Sequence, residues 1–118
     1  MDESRPIFLQ IAEQIENDII GGLMAEETQV PSINELAAFY RINPATALKG
    51  VTLLVDEGIL YKKRGIGMFV SEGSRERLVA KRREQFSQEF VRPLLAEAVK
   101  LGISPEQLIT MIQKEGSQ

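Results

Sequence analysis

The basic side chains between residues 41 and 71 form a group that could bind an anion. This stretch contains five cations and only two acids, whereas residues 1–40 contain a single cation, Arg5. The five are Arg41, Lys49, Lys62, Lys63 and Arg64. The net charge of the whole chain is −3, but phosphates respond to the local potential because salt screens charges beyond about 8–10 Å. The pattern is typical of a surface that binds a polyanion, and ordinary solvated charge is the alternative.

Two residue types that carry much of side-chain catalysis are missing. The sequence has no histidine and no cysteine, which removes most zinc-site designs and every Ser-His or Cys-His nucleophilic pair. The glycines of Gly65-Ile66-Gly67 are too few for a Walker or Rossmann phosphate loop. Carboxylate or lysine chemistry stays open, but the sequence favours a protein that is not an enzyme and uses no cofactor or metal.

The composition is that of an ordinary globular chain. With 118 residues, 43% hydrophobic and 26% charged, it is long enough for one domain with a proper core and a short appendage. No apolar run approaches the ~18–20 residues needed to span a bilayer, and the first residues lack a secretory signal. We therefore expect no membrane partner, and the lack of cysteine fits a cytoplasmic protein.

Two helices with a tight connection are predicted at the start of the basic stretch. Ser32 suits an N-cap, and Glu35 three residues later completes a capping box. Asn43 and Pro44 then start a further helix that stops at Gly58. A connection of three to four residues between two such helices is typical of a helix-turn-helix.

The segments before and after the predicted helix-turn-helix are expected to form a further helix and a β-hairpin. A first helix opens at Pro6, carries apolar residues at three- and four-residue steps, and stops at Gly21-Gly22. Residues 24–30 could supply one brief strand. Residues 59–63 and 68–71 flank a glycine-bearing loop and predict a β-hairpin with a basic tip. The fold class is therefore mainly α with a small hairpin, a winged helix-turn-helix over residues 1–72.

Residues 73–118 are predicted to form a helical dimerisation extension. Ser74 could cap a long helix, Pro93 should kink or break it near residue 92, and Ser104-Pro105 opens the last helix. These helices carry more apolar surface than so small a winged domain can cover, and isologous pairing of two copies would bury it. The apolar stripe could also be a ligand box, but it does not identify a small-molecule effector. The expected interface residues are Phe86, Phe90, Leu94, Val99, Leu108 and Ile112.

Several short motifs follow one another at characteristic spacings. They are Pro6-Ile7-Phe8-x-Gln10-Ile11, Gly22, Pro31-Ser32-x-x-Glu35-Leu36-Ala37, Ile42-Asn43-Pro44-x-Thr46, Leu54-x-x-Glu57-Gly58-x-Leu60 and Tyr61-x-Lys63-Arg64-Gly65-x-Gly67-x-Phe69-Val70. Each motif is weak alone. Together, over nearly the whole chain, the sequence resembles the GntR family of bacterial transcription regulators, in its short YtrA-type branch.

The resemblance implies a homodimer that binds double-stranded operator DNA at a roughly palindromic site. Such proteins are often repressors and, in this branch, often control transporter operons. The sequence departs from the family at Asn34, where an arginine that commonly touches DNA is usual, and at Glu27, where a turn glycine is usual. Ala45 stands where asparagine or arginine is common, and Leu48 at an often polar position. We expect these departures to alter base recognition more than the fold.

The residues expected to contact DNA lie on the helix-turn-helix and the hairpin. The start of the second of the two helices enters the major groove most deeply, so Thr46 could contact a phosphate or a thymine methyl, and Lys49 a guanine or a phosphate. For Leu48 a core position is favoured over a methyl contact. The three cations of the hairpin suit a phosphate backbone or a narrow minor groove. The predicted set is Ser32, Asn34, Asn43, Pro44, Ala45, Thr46, Lys49, Lys62, Lys63, Arg64, Gly65 and Gly67.

Two other functions stay open at this stage. A winged helix that binds protein rather than nucleic acid would not bind promoter DNA in a salt-dependent way, and the basic hairpin argues against it. An enzyme, such as a regulator fused to an aminotransferase-like domain, would need a cofactor fold for which we expect no room in 118 residues. The sequence thus predicts a DNA-binding transcriptional regulator.

Overall fold

The first helix follows from the apolar spacing at the start of the chain. In the computed structural model, which describes residues 2–117, α1 spans Ile7–Ile20 and buries Ile11, Ile15 and Ile19. Pro6 was expected at the first helical position but lies at the N-cap, because its ψ of 134° is extended. Its carbonyl already accepts hydrogen bonds from the amides of the first turn. The helix ends where predicted, before the two glycines.

The predicted helix-turn-helix is present, and its capping signals act as expected. Helix α2 spans Ile33–Tyr40 and helix α3 spans Pro44–Asp56. Ser32 and Glu35 form the capping box of α2, and the Oδ1 atom of Asn43 accepts the amide of the second residue of α3 at 2.8 Å. Side chains within three residues of each helix start therefore determine where both helices begin.

The predicted hairpin is formed by two short antiparallel strands. Strand β1 spans Leu60–Lys63 and β2 spans Gly67–Val70, in a register that pairs the first residue of each with the last of the other. Gly65 and Gly67 have φ of +77° and +144°, values that a residue with a Cβ rarely adopts. The turn between the strands therefore depends on these two glycines.

Residues 27–30 run along the free edge of β2. The amide of Val30 donates to the carbonyl of Met68 at 2.9 Å, and the amide of Val70 donates to the carbonyl of Thr28 at 3.0 Å. The brief strand expected over residues 24–30 is thus reduced to an isolated bridge in this segment. It is too short for a regular strand, but it still pairs one side of the hairpin with the body of the domain.

The winged helix encloses one apolar core. Helix α1 packs closely on α3 at Gly50, where an added Cβ would lie 2.7 Å from the carbonyl oxygen of Phe8. A glycine inside a helix normally costs about 1 kcal/mol relative to alanine, and here it permits the close approach of two helices. The most deeply buried large residues are Ile11, Ile15, Ile19, Val51, Leu54, Leu60, Val70 and Leu78.

The C-terminal part of the chain stays helical through the predicted break. Helix α4 spans Ser74–Phe86, a π-helical turn spans Ser87–Val91, and α5 spans Arg92–Lys100. Pro93 lies in the first turn of α5. Proline lacks an amide hydrogen and its ring clashes with the carbonyl four residues earlier in a regular α-helix. The helix does not break near residue 92 as the sequence suggested. A π-helical turn just before this residue accommodates the proline instead, as π-turns within helices often do.

Local signals end α5 and begin the last helix. Helix α6 spans Pro105–Gly116, and Ser104 and Gln107 form its predicted capping box. The turn that precedes it contains Gly102 with φ of +69°. The amide of Ile103 there donates back to the carbonyl of Ala98 at 2.9 Å, the bond that closes many helix C-termini.

The start of α4 is capped from elsewhere in the chain, and not by its own serine. Ser74 is fully buried, and its hydroxyl donates to the carbonyl of Ile59 at 2.7 Å. The carboxylate of Glu26 accepts the amides of Gly73 at 2.7 Å and Arg75 at 3.2 Å. A carboxylate at a helix N-terminus satisfies unpaired amides and complements the helix dipole. The prediction that Ser74 caps this helix is therefore wrong.

The chain divides into two compact units, one ending at Val79 and the other beginning at Ala80. Leu78 belongs to the core of the winged helix, so the first turn and a half of α4 pack with the N-terminal unit. The division after residue 72 that the sequence suggested stays a prediction. Among residues 2–117, no helix has both the length and the apolar character needed to cross a membrane.

Candidate nucleic-acid interface

One face of α3 is open to solvent. Ala47, Gly50, Val51 and Leu54 are buried, which leaves Ala45, Leu48, Lys49 and Thr52 exposed. Leu48 is 52% exposed, so the expectation that it is a core residue is wrong. Val51, one turn later, is buried in its place and is only 1% exposed.

Two other predicted residues of α3 differ in their surroundings. The ammonium of Lys49 lies 4.2 Å from the ring centroid of Phe8, a cation–π contact that holds this side chain near the start of α1. Thr46 is half-buried, whereas Ala45 beside it is exposed. Of the predicted contact residues Ala45, Thr46 and Lys49, only Thr46 is partly buried. Leu48 and Thr52 are exposed on this face as well.

The N-terminus of α2 is less suited to a phosphate than expected. Ser32 Oγ accepts the amide of Glu35 at 3.1 Å, and the Glu35 carboxylate accepts the amide of Ser32 at 3.0 Å. Hydrogen bonding from Ser32 to this carboxylate, first from the backbone amide and then from the side chain, holds the pKa of Glu35 below its usual value. A phosphate bound at Ser32 would meet this carboxylate, so the geometry favours the capping role of Ser32. Asn34 in the same turn is exposed.

Sequence reasoning did not select Arg41, although it counted this residue in the basic stretch. Arg41 is exposed in the turn between α2 and α3, with a left-handed φ of +56°. Two residues later Asn43 caps α3 and Pro44 occupies its first turn, both in the predicted roles. The position of Arg41 just ahead of α3 was implicit in the helix-turn-helix spacing.

The three predicted cations of the hairpin do not all lie on the same face of it. Neighbouring side chains of a strand point to opposite faces, and the ammonium of Lys63 lies 4.4 Å from the ring centroid of Phe69 and 5.9 Å from that of Tyr61. Lys62 and Arg64 are exposed. Lys63 is exposed as well, so all three charges are open to solvent, and Lys63 in addition lies over an aromatic surface.

That aromatic surface is attached to the segment before α2. The Tyr61 ring stacks on Phe69 with 5.8 Å between centroids, and its hydroxyl donates to the Glu27 carboxylate at 2.8 Å. The bond to Glu27 raises the pKa of Tyr61, and desolvation adds to the effect. At the tip, the Gln29 amide donates to the carbonyl of Ile66 at 3.0 Å. These contacts hold the hairpin in one position relative to the rest of its unit.

Glu27 has a left-handed backbone with φ of +64°, a conformation that costs a residue with a Cβ roughly 1–2 kcal/mol. This explains why a glycine is usual at this position in the family that the sequence resembles. The hydrogen bond from Tyr61 to the Glu27 side chain offsets part of that cost.

The C-terminal unit leaves most of its large apolar side chains exposed. Phe86 and Phe90 lie 5.4 Å apart between ring centroids, and both are more than half exposed. Leu108 differs, because it is only 7% exposed. The exposed set is Phe86, Phe90, Leu94, Leu95, Val99, Leu101, Ile109, Met111 and Ile112.

The family follows from a direct match to the winged helix. Residues 8–70, which contain nearly all of α1 and the whole of α2, α3 and the hairpin, match bacterial regulatory proteins of the gntR family. The chain belongs to the gntR family. The family and the winged helix-turn-helix fold predicted from the sequence are confirmed. Gly58, Gly65 and Gly67, three of the motif positions, all have positive φ.

Individual relatives extend the likeness over the whole chain. The chain is 31% identical over 111 residues to the HTH-type transcriptional repressor YtrA of Bacillus subtilis (strain 168), covering 94% of this chain and 85% of that one. A GntR-family transcriptional regulator from Bacteroides thetaiotaomicron superposes with a TM-score of 0.80 and 34% identity, covering 94% of this chain and 96% of that one. The second match includes the C-terminal helices.

A third likeness concerns DNA. The DNA-binding domain of AraR, solved in complex with operator ORX1, superposes with a TM-score of 0.56 and 30% identity, covering 60% of this chain and 87% of that domain. These findings favour a DNA-binding transcriptional regulator over a winged helix that binds only protein. Within residues 2–117, no cluster of three or more acidic, His or Cys side chains is placed to hold a metal ion.

Proposed function

We propose that this protein is a transcriptional repressor that binds a roughly palindromic operator as a homodimer. The observation that carries the proposal is the open face of α3 in a gntR-type winged helix, in a unit whose turn and hairpin add exposed cations. A helix-turn-helix places this helix in the major groove. The repressor YtrA and the AraR–operator complex support the same function by likeness. Control of a transporter operon stays a prediction from the resemblance.

We propose that different residues contact the phosphates and the bases of the DNA. Lys62 and Arg64 neutralise phosphates beside the hairpin, and Arg41 contacts a phosphate next to α3. The residues at the start of α3 that are not buried, among them Ala45, Thr46 and Lys49, approach base edges. Lys63 supports the hairpin through its contact with Phe69, and Gly65 and Gly67 allow the backbone to come close to DNA.

The homodimer is proposed from the exposed apolar set of the C-terminal unit. Groups of large apolar side chains that are exposed on a surface usually mark an interface. In a two-fold pair, each copy contributes the same residues to that interface. Phe86, Phe90, Leu94, Val99 and Ile112 form the proposed interface, and Leu108 supports it from within. Two such units would carry two copies of α3 to the two halves of a palindrome.

The proposal is tested by selecting operators from a random DNA pool with the purified protein. We expect a symmetric consensus, and its binding constant should fall steeply with salt. The variant Lys62→Ala/Arg64→Ala should lower the slope of log K against log salt by about one to two units. Lys100→Ala/Lys114→Ala, with the same change of net charge in the C-terminal unit, is the matched control and should leave the slope unchanged. An absence of any selected sequence would overturn the proposed function.

A further inference from the structure

The outward face of α3 is unusually poor in groups that form hydrogen bonds. Ala45 and Leu48, one turn apart, present only carbon atoms to solvent, and Leu48 is a large apolar residue at 52% exposure. Thr52 follows one turn later and adds a methyl group beside its hydroxyl. Together with Phe8 at the start of α1, these residues form what we call the α3 apolar strip: Phe8, Ala45, Leu48 and Thr52. The strip lines one shallow groove together with Lys49, Leu53 and Asp56.

The chemistry of the major groove limits what such a strip can recognise. Guanine offers two acceptors that suit arginine or lysine, adenine suits the amides of asparagine or glutamine, and cytosine offers a donor that suits a carboxylate. Thymine alone carries an apolar group in the groove, its C5-methyl. An alanine and a leucine on the face that approaches the bases match this methyl and none of the hydrogen-bonding edges.

The charges next to the strip are compatible with DNA at this face. Lys49 is held over Phe8 at one edge of the strip, and Arg41 lies in the turn just before α3. Asp56, the only acid of α3, also lines this groove, but it is the last residue of the helix and lies away from the end that enters the major groove most deeply. The cations near the start of α3 therefore favour DNA as the occupant of the strip over an apolar protein segment.

We propose that Leu48, with Ala45 beside it, reads the C5-methyl groups of thymines in each operator half-site and makes base recognition depend on apolar contact. The proposal rests on the proposed function and names its specificity determinant. It also accounts for the departures from the family at these two positions, because both replace polar side chains by apolar ones on the same face.

The test replaces thymine by uracil, one position at a time, in the operator selected from the random pool. Uracil lacks only the methyl group and keeps the same pairing edge and O4 acceptor. At the thymine that faces Leu48, we expect about fourfold weaker binding by the wild type, the value of one buried carbon group. For Leu48→Ala the same replacement should change binding less than about 1.5-fold, because the contact is already lost. Leu23→Ala removes an exposed leucine that lies outside α3, and it should keep the full fourfold effect.

The outcomes separate this proposal from the one on which it rests. A selected operator that tolerates uracil at every thymine, or a half-site without thymine, overturns the methyl readout and leaves the DNA-binding function intact. An equal loss in the wild type and in Leu48→Ala overturns the assignment to Leu48. Failure to select any operator overturns the proposed function itself. Unchanged thermal unfolding of Leu48→Ala shows that the variant is folded.

Discussion

Leu54 in α3 and Leu95 in α5 are the same residue type in helical segments of one chain, yet Leu54 is 1% exposed and Leu95 is 46% exposed. The difference extends to the units that contain them. The N-terminal unit encloses a core drawn from four helices and the hairpin. The described residues of the C-terminal unit bury only Ala98 and Leu108. A winged helix closes its own core, whereas this small group of helices has too few layers to do so.

The comparison teaches that the two units obtain stability from different sources. Packing within one chain stabilises the N-terminal unit, so its unfolding should not depend on protein concentration. The C-terminal unit presents apolar surface that a second copy would cover, so its stability should rise with concentration. Both tyrosines, Tyr40 and Tyr61, lie in the N-terminal unit and the chain has no tryptophan. Tyrosine fluorescence therefore reports on this unit alone.

The largest effect is expected from Leu54→Ala. Removing this buried side chain should lower the free energy of unfolding by about 2–5 kcal/mol, because it creates a cavity in a closed core. Leu95→Ala should change the tyrosine-detected unfolding by less than about 0.5 kcal/mol. Urea unfolding followed by tyrosine fluorescence measures both. Equal losses in the two variants would contradict the distinction between the units.

Phe90→Glu tests the proposed interface. A charge in the centre of an apolar contact should weaken dimerisation by at least ~30-fold, the loss typical of an interface hot spot of about 2 kcal/mol. Sedimentation equilibrium measures the dissociation constant. Phe39→Glu is the matched control, because Phe39 is a 78% exposed phenylalanine of the N-terminal unit. A dimer that persists in Phe90→Glu and dissociates in Phe39→Glu would move the interface to the N-terminal unit.

Glu26→Ala should have a smaller effect that is confined to the N-terminal unit. It removes the acceptor of the Gly73 and Arg75 amides, and the loss of a helix cap costs about 0.5–2 kcal/mol. The tyrosine-detected free energy of unfolding should fall by this amount. Glu72→Ala removes a nearby exposed acid and should leave it unchanged. If both variants lost the same stability, general charge rather than the cap would be the cause.

The two capping boxes give the smallest effect and a contrast in pH dependence. Ser32 is paired with the ionisable Glu35, and Ser104 with the neutral Gln107. Because hydrogen bonds lower the pKa of Glu35 in the folded state, its contribution is present above the unfolded pKa and is lost as the pH falls through the folded pKa. Glu35→Gln should therefore reduce the loss of Tm between about pH 6 and about pH 3.

The reciprocal variant sharpens this last contrast. Gln107→Glu places an acid in the same geometry at the start of α6, so helicity of the C-terminal unit should become more sensitive to acid. Circular dichroism melts at the same two pH values measure it. If Glu35→Gln left the acid response of the N-terminal unit unchanged, other carboxylates would account for that response.

Most of the fold could be predicted because its signals are local. The caps at Ser32, Asn43 and Ser104 act on amides two or three residues away, and Gly58 and Gly65 supply positive φ where a turn needs it. The hairpin was predicted from two short segments on either side of a glycine-bearing loop, which is also a local signal. The candidate site was predicted less completely. Leu48 was expected in the core and is 52% exposed, because helical periodicity alone does not decide which apolar residues at the edge of a stripe are buried.

The sequence by itself determined the order of the helices and the hairpin, the caps at Ser32, Asn43 and Ser104, the basic residues of the hairpin and the family. Tertiary structure alone decided that Glu26 caps α4, that Tyr61 bonds Glu27, and that Gln29 reaches the tip of the hairpin. These pairs are 47, 34 and 37 residues apart, and such partners meet only after the chain has folded. It also decided that Leu48 is exposed and Leu108 buried. The reason is that burial is a property of packed elements, whereas capping and turn formation depend on a few neighbouring residues.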